Sequence, residues 1–328
     1  MRPKLKPLAQ QVMVITGASS GIGLVTTRAA ARQGAKLVLV ARNEAALQAL
    51  TDELRLQHCD AIHVVADVGV EADIERVVAQ AISHFGGFDT WVNNAGVSIY
   101  GALEQPSMEE NRRLFDTNFW GMVHGTLAAR RHLRQRGGAI VTVGSMLSDM
   151  SVPMQGMYCA SKHAVKGFLN ALRMESEREG EPVSFTLIKP ASVNSMLIEN
   201  ARNYLPMKPD LPPPVFAPRV VADAILHAAQ YPVRDLFVGE PAVAGSSFAH
   251  LAPGITDMVL RRFAVELQQQ HIPDQRPGSG NLFAPNGNAS LRESSDRKGV
   301  TFQHSPYTEA MTHWTNPLDL LRRTMSGR

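Results

Sequence analysis

The sequence predicts an α/β protein in which helices cover both faces of one doubly wound parallel sheet. Short apolar runs, the first at 12–15, alternate with helical segments from the N-terminus to about residue 240. Such runs are typical of buried parallel strands, which are apolar on both faces. A glycine-rich loop at 16–23 joins the first strand to the first helix, as in a βαβ unit. Regular alternation of strands and helices therefore predicts the parallel sheet.

The predicted elements follow one another without a break in this period. Gly34 is the expected C-terminal cap of the first helix. Apolar runs predict strands at 12–15, 36–41, 61–66, 90–93, 139–144, 183–188 and 235–238. Helical spacing of apolar residues predicts a helix that ends near Leu133 and others at 44–57, 71–85, 158–179 and 217–230. We expect these elements to form one domain, 1–240.

The chain has a different composition beyond this domain. Residues 241–272 are expected to be a helical extension whose apolar stripe packs internally, contacts a subunit or caps a pocket. Residues 273–328 are expected to be a largely disordered tail with one short helix within 306–323, because 273–299 is rich in Pro, Gly, Asn and Ser. Inside the domain, five prolines between 206 and 214 predict an apolar lid or pocket wall.

Composition argues against several classes of protein. The formal net charge of +3 over 328 residues is too small to indicate nucleic-acid binding. Two cysteines, Cys59 and Cys159, give no disulfide framework, and no apolar run approaches the roughly 18 residues that span a bilayer. We therefore expect a soluble, cytoplasmic protein without a transmembrane segment. No metal site is predicted, because His58, Cys59 and His63 lack a further partner at ligand spacing.

The glycine-rich loop predicts a dinucleotide site. Gly17, Gly21 and Gly23 let the backbone approach a pyrophosphate, whose charge rests on the N-terminus of the following helix. Leu24 and Val25 occupy the positions where a nucleotide-hydrolysing loop has Lys and then Ser or Thr, which disfavours NTP hydrolysis. A tight turn without a ligand is the alternative for these glycines.

The end of the second strand bears on the choice of cofactor. An acidic residue about 20 positions after the loop would accept the ribose 2′-hydroxyl of NAD. The chain instead has Ala41-Arg42-Asn43, with a guanidinium that can bind a 2′-phosphate and no carboxylate to repel one. The sequence therefore predicts NADP(H) over NAD(H). An unattached surface side chain is the alternative for Arg42.

Tyr158 and Lys162 are the candidate proton-transfer pair. Residues four apart on a helix lie on one face, so the Lys162 ammonium is expected beneath the Tyr158 phenol. A nearby positive charge favours the phenolate, so we expect the pKa of Tyr158 to lie below its usual value of about 10. A surface helix pair is the alternative for these two residues taken alone.

With this pair and the glycine loop in one chain, the sequence resembles the short-chain dehydrogenase/reductase family over about 10–239. Asp67, the Asn93-Asn94-Ala95-Gly96 segment, Asn118 and Ser145 match further motifs of that family in order. The resemblance implies a Rossmann-type fold and four catalytic residues, namely Asn118, which holds a proton-relay water, Ser145, Tyr158 and Lys162. It implies cofactor contacts by Gly17, Ser19, Ser20, Gly21, Ile22, Gly23, Arg42, Asp67, Val68, Asn94, Ala95, Gly96, Tyr158, Lys162, Pro190, Val193 and Ser195. The sequence departs from the family at Ala191, where Gly usually follows Pro190.

The resemblance implies hydride transfer between the cofactor and a small-molecule carbonyl or secondary alcohol. It gives Tyr158 the role of acid/base, and Ser145 that of a hydrogen-bond donor to the substrate oxygen. A bulky hydrophobic substrate, or else core packing, would explain the apolar residues Met146, Leu147, Met150, Val152, Met154 and Met157. Family members commonly pair through helices that match 108–133 and 158–179, which implies a homodimer or homotetramer. The alternative functions are a catalytically idle dinucleotide-binding sensor or scaffold, and an epimerase or dehydratase on the same fold.

Overall fold

The computed structural model describes residues 3–274, 278, 280–285 and 290–314. Its strands are β1 (Val12–Thr16), β2 (Lys36–Ala41), β3 (Ala61–Val65), β4 (Thr90–Asn93), β5 (Ile99–Tyr100), β6 (Gly138–Val143), β7 (Val183–Pro190), β8 (Arg202–Asn203), β9 (Met207–Pro209), β10 (Val215–Phe216), β11 (Asp235–Val238), β12 (Gln269–Pro273) and β13 (Thr301–Phe302). Its helices are α1 (Gly21–Arg32), α2 (Glu44–Leu56), α3 (Glu71–Phe85), α4 (Met108–Phe115), α5 (Gly121–Leu133), α6 (Gly156–Arg178), α7 (Pro218–Ala228), α8 (Glu240–Leu251), α9 (Pro253–Leu267) and α10 (Pro306–Trp314).

The central sheet has seven parallel strands in the order β3-β2-β1-β4-β6-β7-β11. All seven predicted strands are present in it, so the predicted α/β class and doubly wound sheet are confirmed. The strand order reverses between β1 and β4, so the connections that follow these two strands run to opposite sides of this point. A crevice forms there at the carboxyl ends of the strands.

Two apolar layers cover the faces of the sheet. One layer buries Leu24 of α1, Leu47 of α2 and Val221 of α7 against the sheet. The other buries Ile74 of α3 and Leu133 of α5 on the opposite face. Because the sheet is covered on both faces, its strands are apolar along their whole length, as their sequence predicted.

A π-helical segment, Asp116–Trp120, joins α4 to α5 and makes them one long element. Such single-turn π segments inside α-helices are frequent at functional sites, because the extra residue re-aims side chains. The segment includes Asn118, whose placement is described below. A continuous helix that ends near Leu133 was predicted here, since the local change in hydrogen-bond register leaves no pattern of apolar residues.

The extension is helical up to 267, with α8 and α9 separated by Ala252. The described part of the tail is more ordered than expected. Strand β12, at the end of the extension, pairs with β9, and β13 of the tail pairs with β10. Leu282 is buried, and Leu291 packs against the main core. A few isolated apolar residues in a polar sequence thus anchor a segment whose average composition predicts disorder. The predicted helix within 306–323 begins with α10, and its part beyond 314 lies outside the described residues.

Across the described residues, no helix combines the length and the hydropathy needed to cross a bilayer.

Candidate active site

A cavity of about 1050 Å³ opens at the carboxyl end of the sheet, beside the switch point between β1 and β4. The glycine loop and the ends of β2, β4, β6 and β7 contribute to its lining. The proline-rich loop, α9 and part of the tail complete it. This position, outside the carboxyl ends of the strands, is where ligands bind in open α/β sheets.

The first turns of α6 bring Tyr158 and Lys162 to the cavity. They lie one turn apart, and the Lys162 Nζ is 5.6 Å from the centroid of the Tyr158 ring. The ammonium donates a hydrogen bond to the Val143 carbonyl at 3.0 Å, which ties α6 to the end of β6. Both side chains are buried, with 7% and 6% of their surface exposed. The pair is therefore a pocket feature, and the surface alternative does not hold.

The electrostatics of this pair differ from the expectation drawn from the sequence. Burial raises the pKa of Tyr158, with a smaller contribution from Cys159, while a hydrogen bond with Ser145 opposes the rise. Burial also lowers the pKa of the Lys162 ammonium, to about 8. The expected fall in the Tyr158 pKa is absent because desolvation of the phenolate dominates. At neutral pH the phenol is therefore protonated.

Ser145 lies just after β6, at the start of a short 3-10 turn, Met146–Ser148. Its Oγ accepts a hydrogen bond from the Leu147 N–H at 3.1 Å and is bonded to the Tyr158 phenol. The turn therefore fixes the serine hydroxyl beside the tyrosine hydroxyl. Two O–H groups at one point of the cavity are what a carbonyl oxygen needs as hydrogen-bond donors.

Asn118 braces the back of this site and does not line the large cavity. Its Oδ1 accepts from the Val97 N–H at 2.8 Å, and its Nδ2 donates to the Val97 carbonyl at 2.9 Å and to Ser161 Oγ at 3.2 Å. Ser161 in turn donates to the Tyr158 carbonyl at 2.7 Å. A separate cavity of about 10 Å³, roughly the space of one water, lies between Asn118 and Lys162.

The glycine loop has the geometry that a dinucleotide requires. Gly17 and Gly21 have φ angles of +67° and +55°, which favour glycine. A Cβ at Gly23 would lie 2.1 Å from the Gly17 carbonyl oxygen, so α1 packs against the loop only without a side chain there. Ser20, at the start of α1, makes no side-chain capping bond. The positive end of α1 lines the cavity, and the residues of the loop fit a pyrophosphate.

The segment after β4 fastens this loop to the sheet. The Asn94 N–H donates to Thr16 Oγ1 at 2.9 Å, and its Nδ2 donates to the Thr16 carbonyl at 2.9 Å. Asn93 Nδ2 donates to Thr126 Oγ1 at 2.8 Å on α5. These bonds hold β4, the glycine loop and α5 in one frame. Ala95 follows Asn94 into the lining of the cavity.

Arg42 and Asp67, expected at the adenosine, line the cavity but are already engaged. Arg42 donates to backbone carbonyls of the tail, and the Asp67 carboxylate pairs with Arg113. Burial lowers the pKa of the Arg42 guanidinium, and Arg113 adds to this while Asp67 opposes it. Arg42 is therefore bound at the cavity edge and is not a free surface side chain.

Ala191, which stands after β7 where the family usually has Gly, does not strain the backbone of its loop. Ala191 has no positive φ angle, and its N–H donates to the Val238 carbonyl at 2.9 Å. Pro190, Val193 and Ser195 line the cavity as expected.

The other end of the cavity has apolar walls. Met146, Leu147, Met150 and Val152 line it, whereas Met154 and Met157 do not. Met154 packs instead in a small cluster around Tyr100. The opposite wall is one stripe of α9, spaced four residues apart, formed by Val259, Phe263 and Leu267. These three side chains remain about half exposed, as expected for surfaces that face a cavity.

Comparisons with known proteins agree with this geometry. A family model described as short chain dehydrogenase matches residues 11–205. The chain belongs to the short-chain dehydrogenase family. It is 44% identical over 310 residues to the uncharacterized oxidoreductase YxnA of Bacillus subtilis, a match that covers 94% of this chain and 86% of that protein.

Two solved structures of other proteins have a similar fold. An alcohol dehydrogenase from Thermococcus sibiricus, complexed with 5-hydroxy-NADP, is 27% identical with a TM-score of 0.61. The match covers 69% of this chain and 95% of that protein. A short-chain dehydrogenase from Burkholderia phymatum, in complex with NAD, is 26% identical with a TM-score of 0.67. The match covers 78% of this chain and 97% of that protein. The protein is thus an oxidoreductase of carbonyl and alcohol groups that uses a nicotinamide dinucleotide.

The cavity collects nearly all the residues that the sequence assigned to this short-chain dehydrogenase site. Of the assigned residues, only Gly23 and Asn118 lie outside its lining. The part of the tail beside Arg42 was not foreseen, and for the apolar stripe of the extension a pocket cap was one of three alternatives. The apolar stripe of α9 was visible in the sequence, but the surface that it faces was not. Within the described residues no cluster of three His, Cys, Asp or Glu side chains is placed to hold a metal ion.

Proposed function

We propose that this enzyme uses NADP(H) to interconvert a bulky hydrophobic ketone and its secondary alcohol, with Tyr158 as the acid/base. The observation that carries the proposal is a buried phenol, hydrogen-bonded to Ser145, in a cavity that has a glycine loop at one end and apolar walls at the other. Each half of the cavity thus suits one partner of the reaction.

The site residues have distinct roles in reduction. The bound cofactor supplies the hydride to the carbonyl carbon. Ser145 and Tyr158 donate hydrogen bonds to the carbonyl oxygen, which stabilises the negative charge that develops there. Tyr158 then transfers its proton to that oxygen, and the product is a neutral alcohol. Because burial raises the Tyr158 pKa, the phenol holds this proton at neutral pH.

Lys162 and Asn118 act through their positions. The Lys162 ammonium lies beneath the phenol and stabilises the phenolate that is left after proton donation. It also holds the nicotinamide ribose in this proposal. Asn118 braces Val97 and Ser161, and the small cavity beside it suits a water on the proton path.

Arg42 supports the preference for NADP(H). Arg42 is partly buried at the cavity edge, and neither of the two residues directly after β2, Arg42 and Asn43, is a carboxylate. A guanidinium binds a 2′-phosphate through charge-assisted hydrogen bonds, whereas NAD(H) offers only a hydroxyl there.

A panel of carbonyl compounds of increasing size, followed by NADPH absorbance, tests this function. Tyr158→Phe removes one hydroxyl, so turnover should fall by at least about a hundredfold while NADPH still binds. Activity that survives this change would refute the role of Tyr158. Binding of NADPH without consumption by any compound would favour the sensor or scaffold. Product formation without net NADPH consumption would favour an epimerase or dehydratase.

We also propose that the enzyme is a homodimer or homotetramer. Large apolar side chains remain exposed on the long α4–α5 element and on α6, namely Met108, Trp120 and Met174. Burying such side chains against a second copy is favourable. Light scattering coupled to gel filtration distinguishes these states from a monomer, and a strictly monomeric enzyme would refute the proposal.

A further inference from the structure

Two stretches of the tail, 280–285 and 290–292, cover the adenosine end of the cavity, and we call them the outer wall. Gly280, Asn281, Pro285, Ser290 and Arg292 line the cavity together with the glycine loop, Arg42 and Asp67. The sheet and α1 form the inner side of the same space. The cofactor end of the cavity is therefore enclosed by two parts of the chain that are far apart in sequence.

The outer wall bonds to groups of the inner side that are assigned to the cofactor phosphates. Arg42 donates to the three consecutive carbonyl oxygens of 281–283, at 3.2 Å for the last two. In the glycine loop, the Gly21 N–H donates to the Arg292 carbonyl at 2.9 Å. Carbonyl oxygens carry partial negative charge, so they use the same donors that attract a phosphate.

A small number of contacts anchor the outer wall. Leu282 is 2% exposed and packs in a cluster with Val97 and Leu114. Arg292 makes a bidentate ion pair with Glu199 at 2.5 and 3.0 Å, although both side chains are partly exposed. Exposed ion pairs contribute little to stability. Leu291 of the wall is only partly buried against the main core, so the fully buried Leu282 is the main anchor. Segments held by few buried contacts open locally without global unfolding.

We propose that the outer wall is part of the dinucleotide site: it orients Arg42, encloses the adenosine half of the cofactor and detaches whenever the cofactor enters or leaves. The inference rests on the proposed function only in that Arg42 and Asp67 mark the adenosine end. Its consequence is kinetic. Release of the cofactor requires Leu282 to leave its buried position, so the anchoring of the wall sets the exchange rate.

The test compares cofactor release from wild type, Leu282→Ser and the matched control Phe283→Ser. Phe283 is the adjacent residue of the wall, but its side chain is half exposed. Bound NADPH, and in parallel bound NADH, is chased with excess NADP⁺ in a stopped-flow fluorimeter. We expect Leu282→Ser to release both reduced cofactors at least tenfold faster, and Phe283→Ser and the conservative Leu282→Met to remain within about twofold of wild type. Equal release rates for all four proteins would overturn the proposal.

Hydrogen exchange of the wild-type protein gives a second measurement that requires no variant. Amides of 280–285 and 290–292 should exchange at least several-fold more slowly with saturating NADPH than without it, because the bound cofactor adds contacts to the closed wall. Unchanged exchange of these amides, with protection in the glycine loop, would overturn the proposal even if Leu282→Ser does not fold. Failure of every carbonyl substrate would instead refute the proposed function and leave the wall intact. Binding of neither NADPH nor NADH would refute both.

Discussion

Replacing Phe263 by Ala tests whether α9 forms the substrate wall. The Phe263 ring is 50% exposed and lines the apolar end of the cavity. A Phe side chain buries about 200 Å² when fully covered, so about 100 Å² of this ring is left for a substrate to cover. At about 25 cal/mol per Å², this area contributes at most about 2.5 kcal/mol to binding. The corresponding loss in kcat/KM is up to about 60-fold, since about 1.4 kcal/mol corresponds to a factor of ten.

The assay is kcat/KM for ketones of increasing size with NADPH saturating. Phe263→Ala should lower kcat/KM for a polycyclic ketone about tenfold or more, mainly through KM, and leave a small cyclic ketone within about twofold. Phe248→Ala is the matched control, because Phe248 on α8 is 48% exposed but does not line the cavity. Equal losses in the two variants, or equal losses for small and large ketones, would show that α9 does not contact the substrate.

Three further predictions address the cofactor end. Burial lowers the pKa of Lys162 to about 8, so its ammonium is present at pH 7 and is lost as the pH rises through 8. Cofactor affinity should therefore fall by up to about tenfold per pH unit above 8. The Lys162→Arg variant keeps its charge and should abolish that fall. A pH-independent affinity between 7 and 10 would contradict this. Arg42→Ala should lower the NADPH-to-NADH ratio of kcat/KM by about 10- to 100-fold, through loss of charge-assisted hydrogen bonds, and an unchanged ratio would refute the assignment. Gly23→Ala should abolish cofactor binding measured by fluorescence, because the added Cβ would meet the Gly17 carbonyl. The control Gly167→Ala, which adds a Cβ into open space on α6, should bind the cofactor normally. Tight binding by Gly23→Ala would show that the loop adapts.

The fold was predictable because its signals are local and regular. Buried parallel strands carry uninterrupted apolar runs, and each of the seven predicted runs lies in the central sheet. The residues that the sequence assigned to the cofactor and to catalysis meet at one cavity for a related reason. They follow strand ends or occupy the first turns of helices, and the parallel sheet brings these positions to one edge. Ser145, distant from Gly17 in sequence, therefore lines the same cavity.

Other features depend on packing between distant segments and leave no local pattern. The stripe of Val259 and Phe263 shows that α9 has an apolar face, but the sequence does not show that this face meets the cavity. Leu282 is one apolar residue in a polar stretch, and only the folded protein shows that it is buried. The sign of the Tyr158 pKa shift is a similar case. Helical spacing places Lys162 beneath the phenol, whereas the extent of burial, which decides the sign, follows from the whole fold.

Burial acts in opposite directions on the pKa values of Tyr158 and Lys162, and this links proton transfer to whether the cavity holds the cofactor. It raises the Tyr158 pKa and lowers that of Lys162, because in each case the charged form is desolvated. Without an anion nearby, Lys162 is close to losing its charge at mildly alkaline pH. A dinucleotide phosphate or ribose contact in the cleft favours the ammonium, and the ammonium favours the phenolate that remains after proton donation. Lys162 therefore supports the charge on Tyr158 most strongly when the cofactor end of the cavity is filled and the outer wall is closed.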